Sequence, residues 1–228
     1  MPTANNPPIQ AILFDFDGTL MDSLVCFHFL INLLLQEQGA APISAEQLRP
    51  HVDKGSLAVI EWCFGLKPNT AKATTLQQRF FHLWLTHMTE QTHFFPGATD
   101  LLNTLNRQQL PWGIVSNRPT RFAEPLIAYH SIYQQAACLI WGDTFAKRKP
   151  NATQLHRACT QLQLSTERVL YVGDTENDMI AAHAAGMPFA LAEYGYLRSE
   201  SLGKPLAAEY RIKSPLQLIN VLEKNKDD

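Results

Sequence analysis

The chain lacks the features that would direct it to a membrane, to nucleic acid or to an oxidising compartment. Its most apolar window, Leu24 to Leu35, contains His28 and Asn32 and is too short to span a bilayer. The start, Met1 to Pro8, is polar and proline-rich, with no basic region leading into an apolar run. Residues 1–8 are therefore expected to be disordered rather than a signal peptide, and a cytoplasmic location follows as the default. There are only four cysteines (Cys26, Cys63, Cys138 and Cys159), far apart and without a CxxC pair. They read as reduced, mostly buried thiols, not as disulfides or a zinc site. No lysine–arginine block stands out and the formal net charge is -2, so neither nucleic acid nor a membrane surface is an expected partner. The eight histidines show no metal spacing. Walker A and GxSxG sequences are absent, and neither acidic cluster has the glycine and terminal glutamate of an EF-hand.

What is present is a globular composition: 228 residues, 46% apolar and 18% charged, enough for one large domain or two small ones around a substantial core. The stretch Leu13-Phe-Asp-Phe-Asp-Gly-Thr-Leu20 carries the first chemistry. A short apolar strand, Ala11 to Phe14, ends on Asp15 and Asp17. Gly18 permits a tight turn and Thr19 adds a hydroxyl. Two carboxylates this close repel unless a cation or a shared proton lies between them.

From Asp22 to about Phe95 the pattern is helical and no strand is evident. Asp22 or Ser23 caps a first helix that Gly39 stops, and Ser44-Ala-Glu-Gln47 has the form of a capping box. Further helices fit residues 55–64 and 71–91. After Pro96-Gly97, apolar β-rich runs at Trp112–Ser116, Cys138–Trp141, Val169–Val172 and Phe189–Leu191, with a weaker one at Glu209–Ile212, alternate with helical stretches. Alternation of this kind predicts a Rossmann-like parallel α/β sheet covered on both faces. The core is expected over residues 1–20 and 96–228, with an all-helical cap inserted over 21–95.

Ligands of such sheets bind at the carboxyl ends of the strands. Asp15, Ser116-Asn117 and Gly173-Asp174 through Asp178 lie at such ends, and Lys149-Pro150 precedes a helix. Acids, a hydroxyl and a lysine converging on one crevice suit phosphoryl transfer. Taken singly, Ser116-Asn117 is also a turn, Lys149 belongs to the charge run Lys147-Arg-Lys149, and Asp174 or Asp178 is a helix cap.

Together these stretches resemble the four motifs of the haloacid dehalogenase-like hydrolase superfamily, and Asp17 marks the phosphatases rather than the dehalogenases within it. The segments Asp15–Ser23, Trp112–Pro125, Val172–Gly186 and Tyr194-Gly-Tyr196 resemble the phosphoglycolate phosphatase group. Trp112–Pro125 is also similar to the bacterial N-acetylmuramate 6-phosphate phosphatases. Ser116, where threonine is frequent, and Asn151, where an acid commonly follows the proline, depart from the group.

The resemblance implies a small-molecule phosphomonoesterase. Asp15 is the nucleophile and Asp17 the acid and base. Mg²⁺ is held by Asp15, the Asp17 carbonyl and Asp174, with Asp178 close by. Thr19, Ser116, Asn117 and Lys149 take the phosphoryl oxygens. The cap is expected to set specificity, through a polar loop bearing Arg49, His51 and Lys54, with Arg118 and Arg121 as further anion-binding candidates. The implied partner is a small phosphorylated metabolite, bound by a monomer or homodimer. Other readings are a phosphatase of N-acetylmuramate 6-phosphate or another sugar phosphate, a phosphomutase of the same superfamily, and a non-catalytic binding module.

Overall fold

The computed structural model describes residues 7–196 and 206–225; of the stretch expected to be disordered, residues 1–6 lie outside the described residues. β1 (Ala11–Phe14) is fully buried. It leads into the two-residue β2 (Met21–Asp22), then the helices α1 (Ser23–Glu37), α2 (Ala45–Leu48), α3 (Ser56–Cys63) and α4 (Ala71–Gln91), then β3 (His93–Phe94). Next come α5 (Ala98–Arg107), β4 (Trp112–Val115), α6 (Thr120–Tyr129), β5 (Cys138–Ile140), α7 (Thr153–Leu162) and β6 (Val169–Gly173). The chain continues through α8 (Glu176–Ala184), β7 (Phe189–Ala192), β8 (Tyr210–Ile212) and α9 (Gln217–Lys224). Asp22–His93 form one compact unit, and the described residues on either side of that segment form the other.

Six parallel strands make the main sheet, in the order β5-β4-β1-β6-β7-β8. The chain winds outward from β1 in one direction through β4 and β5, and in the other through β6, β7 and β8. The switch point is therefore at β1, flanked by β4 and β6, and that is where such sheets open a crevice at their carboxyl ends. The register aligns the three strands. Phe14 pairs with Ile114 and with Val172, so Asp15, Val115 and Gly173 follow at one level. Leu13, Val115 and Tyr171 point to the face covered by Leu155, Ala158, Ala181 and Ala182 of α7 and α8. Ile12 and Phe14 alternate to the other face and are equally buried. A sheet buried on both faces requires the continuous apolar runs seen in the sequence.

In the helical unit, α1 and α4 supply the core through Leu30, Ile31 and Leu34 against Phe80, Leu83 and Met88. The Phe27 ring sits 4.8 Å from that of Phe80. Asp22 caps α1, and Ser44 with Gln47 forms the reciprocal capping box of α2. Two expectations change here. The segment at both ends of the unit carries strand, β2 paired with β3, in pieces too short to show an alternation. Arg49–Lys54 is a 3₁₀ helix rather than a polar loop. Pro50 in its first turn fixes a helix-compatible φ where no N–H partner is needed. His51 stacks on Trp62 at 4.0 Å between ring centroids. Among the described residues no helix is long and apolar enough to cross a membrane, and all four cysteines are free.

Candidate active site

Where β1 ends, Phe16 continues the strand's alternation and anchors the turn. Its ring is fully buried against Trp141 and Tyr133, at 5.5 and 5.6 Å. Asp15 and Asp17 are thereby held on the other side of the chain. The Asp15 N–H donates to the Val172 carbonyl (2.8 Å), and its Oδ1 accepts the Phe16 N–H (2.7 Å). Gly18 then turns with φ of +81°, and a Cβ there would lie 2.6 Å from Asp174 Cγ. Only glycine permits that approach. Asp174, at the end of β6, accepts from Thr19 Oγ1 (3.2 Å) and from the Tyr196 N–H (2.9 Å).

Lys149 reaches the same place from the segment before α7. Its backbone is pinned at both ends: the N–H donates to Gln154 Oε1 (3.0 Å), and the carbonyl accepts from Asn117 Nδ2 (2.8 Å). The Lys149-Pro150 peptide bond is cis. The ammonium, only 3% exposed, meets Asp15 Oδ1 at 2.9 Å, Asp178 Oδ1 at 2.6 Å and the Tyr171 hydroxyl at 2.7 Å. Asp178 has two tasks. Its Oδ1 takes the lysine, while its Oδ2 accepts from the Thr175 N–H and hydroxyl in the capping box that starts α8. Asp178 is thus at once the N3 partner of Thr175 in the capping box and a neighbour of Lys149.

The electrostatics follow from this packing. Burial is the largest influence on Asp15; with the Asp178 charge it outweighs Lys149 and pushes the carboxyl up to about 7. Burial and the charges of Asp178 and Asp15 raise Asp174 well above the usual carboxylate range. Burial would also raise Asp178, but Lys149 and the Thr175 donors hold it below its ordinary value. Burial pulls the Lys149 ammonium down, yet Asp15 and Asp178 outweigh it and keep the group charged. Oxygens of Asp15, Asp174 and Asp178 lie within 4.8 Å of one another. With all three ionised, three buried carboxylates against one buried ammonium would leave two negative charges uncompensated, which is why burial raises Asp15 and Asp174. Isolated buried charge is costly, and one hard divalent cation with oxygen ligands closes that deficit. The residues present therefore fit Mg²⁺.

Arg118 is engaged within the chain. Its Nε donates to Asp17 Oδ2 at 2.9 Å, its second amino group pairs with Asp17 Oδ1, and its third donor reaches the Phe122 carbonyl at 3.1 Å. The guanidinium, almost fully buried over the Phe16 ring, is directed at Asp17 and the chain rather than outward to a substrate anion. Asn117 is engaged as well: its amide joins the second motif to the third, and its Oδ1 is buried without a hydrogen-bond partner. The Oδ1 acceptor offers nothing to a phosphoryl oxygen, and the donor of the same amide is held by the Lys149 carbonyl. Likewise the Thr19 hydroxyl is spent on Asp174. Ser116 is buried, with its Oγ accepting from the Arg118 N–H at 3.3 Å. Arg121 is exposed and lies over the Phe122 ring. Arg49, His51 and Lys54 belong to the helical unit.

Sequence reasoning missed Tyr171 and Gln154. Gln154, fully buried, ties Lys149 to the Trp141 carbonyl (2.8 Å). A tyrosine in an otherwise apolar buried strand was the available signal, because a buried phenol seeks a partner.

The comparisons agree with this geometry. The family described as haloacid dehalogenase-like hydrolase matches residues 12–192. An N-acetylmuramic acid 6-phosphate phosphatase of Pseudomonas aeruginosa is 30% identical over 216 residues, covering 95% of this chain and 96% of the relative. A phosphoglycolate phosphatase of Xanthomonas campestris pv. campestris is 35% identical over 209 residues, covering 92% and 94%. The fold is similar to the crystal structure of a predicted phosphoglycolate phosphatase from Haemophilus somnus, with a TM-score of 0.81 and 22% identity over 93% of this chain and 97% of that one. With a family match across most of its length and relatives aligned nearly end to end, this chain belongs to the haloacid dehalogenase-like hydrolase family.

Proposed function

We propose that the protein is a Mg²⁺-dependent phosphomonoesterase acting on a small phosphorylated metabolite through an aspartyl phosphate. The observation that supports it is the buried charge imbalance: Asp15, Asp174 and Asp178 share one ammonium, with Asp17 two residues from Asp15. Asp15 Oδ attacks phosphorus, the P–O bond to the alcohol breaks, and Asp17, turned from Arg118 and carrying the proton taken from water in the preceding turnover, gives that proton to the departing alkoxide. Asp17 then takes a proton from the water that cleaves the acyl phosphate, releasing inorganic phosphate and restoring Asp15. Lys149 and the N–H and O–H groups around Ser116 neutralise the phosphoryl oxygens. Asp15, Asp174, Asp178 and the Asp17 carbonyl would hold Mg²⁺, which supplies positive charge to the phosphoryl group.

Among substrates, phosphoglycolate is the first reading, because the relatives named for it reach the higher identity. N-acetylmuramate 6-phosphate, or another sugar phosphate, is the second, favoured by a relative that covers 95% of the chain. Substrate choice is assigned to Arg49, His51 and Lys54, with Arg121 a further candidate. The deciding experiment is phosphate release from phosphoglycolate, N-acetylmuramate 6-phosphate, other sugar phosphates and nucleotides, with and without EDTA and without any bisphosphate activator. Turnover that stops on chelation and returns with Mg²⁺ is expected, as is a changed substrate ranking in the alanine variants of the three residues. Turnover only with a bisphosphate would make the enzyme a mutase, and no turnover at all would leave a binding module.

A further inference from the structure

Lys149 has three ammonium protons and three partners, and the third partner is not a carboxylate. It is the hydroxyl of Tyr171, 2.7 Å away, on the central strand β6. That phenol has a single proton. Its oxygen also lies 2.9 Å from the Val115 carbonyl and 3.0 Å from Asp178 Oδ1. With a lone pair turned to the ammonium, the O–H is directed at the last carbonyl of β4 or at Asp178. The group is fully buried, and burial with the charges of Asp178 and Asp15 keeps the phenol protonated. The ring is fixed below by Phe189 at 6.3 Å, and it lies under the ammonium at 5.4 Å. Two carboxylates alone would leave Lys149 free to tilt between them, and its long stem carries much rotamer freedom.

We propose that Tyr171 is a positioning residue for Lys149: its hydroxyl takes one N–H of the ammonium and directs the other two toward Asp15 and Asp178. This inference rests on the reading of Lys149 as the group that neutralises the phosphoryl oxygens. Tyr171 is no nucleophile; its hydroxyl touches Lys149 and Asp178, and the effect proposed here is the one that passes through the lysine.

The test is a double-mutant cycle with Tyr171→Phe and Lys149→Met, both nearly isosteric, in the Mg²⁺-loaded full chain. Two quantities are read: kcat on p-nitrophenyl phosphate, and the calorimetric affinity for inorganic phosphate. In the wild-type background Tyr171→Phe should lower kcat and phosphate affinity by about tenfold, the effect of one lost hydrogen bond to a charged group, with KM changed less than kcat. In the Lys149→Met background the same substitution should change phosphate affinity less than about twofold. A loss of equal size in both backgrounds means that Tyr171 acts through Asp178 or the fold and not through the lysine, and overturns the proposal, as does an unchanged kcat in Tyr171→Phe. If Lys149→Met itself retains turnover and phosphate affinity, the assigned role of the lysine fails together with the inference; the first two outcomes leave that role standing. Should Tyr171→Phe not fold, the wild-type protein still decides. A nuclear Overhauser contact between the Lys149 ammonium protons and the Tyr171 ring protons beside the hydroxyl is expected, and its absence from an otherwise assigned spectrum refutes the arrangement.

Discussion

At the scale of single residues, two carboxylates only two positions apart live in different surroundings. Asp15 is enclosed and faces an ammonium, whereas Asp17 is clasped by a guanidinium and is 29% exposed at its side chain. Asp15→Asn replaces a carboxyl that burial already pushes up to about 7. The amide removes buried negative charge, so the expected outcome is complete loss of turnover with a melting temperature at or above that of the wild type. Asp17→Asn should slow phosphate release from alkyl esters far more than from p-nitrophenyl phosphate, whose leaving group needs no proton; equal losses on both esters would end the acid–base assignment. Arg118→Ala leaves the Asp17 carboxylate without its guanidinium. Breaking a fully buried pair costs about 3–5 kcal/mol, and with Asp17 partly solvated about 2 kcal/mol is expected in denaturant unfolding. Arg118 also shows what a sequence hides. Its partner is 101 positions away, and an arginine beside a phosphate motif looks the same whether it faces an anion outside the chain or one within it.

At the scale of elements, the structure explains why the strand ends were legible and the helical unit was less so. β1, β4 and β6 are buried on both faces, and such strands show themselves as unbroken apolar runs that stop where polar chemistry begins. The Ser44 capping box was visible because both partners lie within one turn. The Arg49–Lys54 helix was not visible, since its polar composition is that of a loop and its order comes from Pro50 and from the stacking of His51 on Trp62. The lysine's network was equally hidden, because Asn117, Gln154 and Tyr171 come from three different elements. One element-scale prediction concerns the turn after β1. Gly18→Ala forces a Cβ into the Asp174 carboxylate at a φ that L residues avoid. The variant should lose about 2–3 kcal/mol of stability and most of its Mg²⁺ affinity, measurable by denaturation and calorimetry. Wild-type metal affinity in that variant would remove Asp174 from the cation site.

At the scale of the whole molecule, the buried acids make folding, pH and metal one equilibrium. The folded-state values of Asp15 and Asp174 are raised above the ordinary 3.8, so the fold favours their protonated forms. Their contribution to stability is greatest below about pH 4 and is lost as the pH rises, for Asp15 through about 7. Asp178 and Lys149 run the other way. A lowered carboxyl and a raised ammonium contribute stability above the acid's ordinary value and below the lysine's, so their contribution is constant between pH 5 and pH 8. The metal-free protein should therefore lose stability over that interval. Magnesium binds the deprotonated carboxylates and must displace protons at pH 5 but fewer at pH 8. At a fixed, saturating Mg²⁺ concentration the gain in melting temperature should thus be larger at pH 8 than at pH 5, by roughly 5 °C for a chain of this size. The measurement is thermal unfolding of EDTA-stripped protein at both pH values, with and without Mg²⁺ and with sodium chloride of matched ionic strength as a control. In Asp15→Asn the pH dependence of the gain should shrink, because one of the two raised carboxyls is gone. An equal gain at both pH values would mean that the cation does not replace those protons, and that the three acids are balanced by something other than a divalent metal.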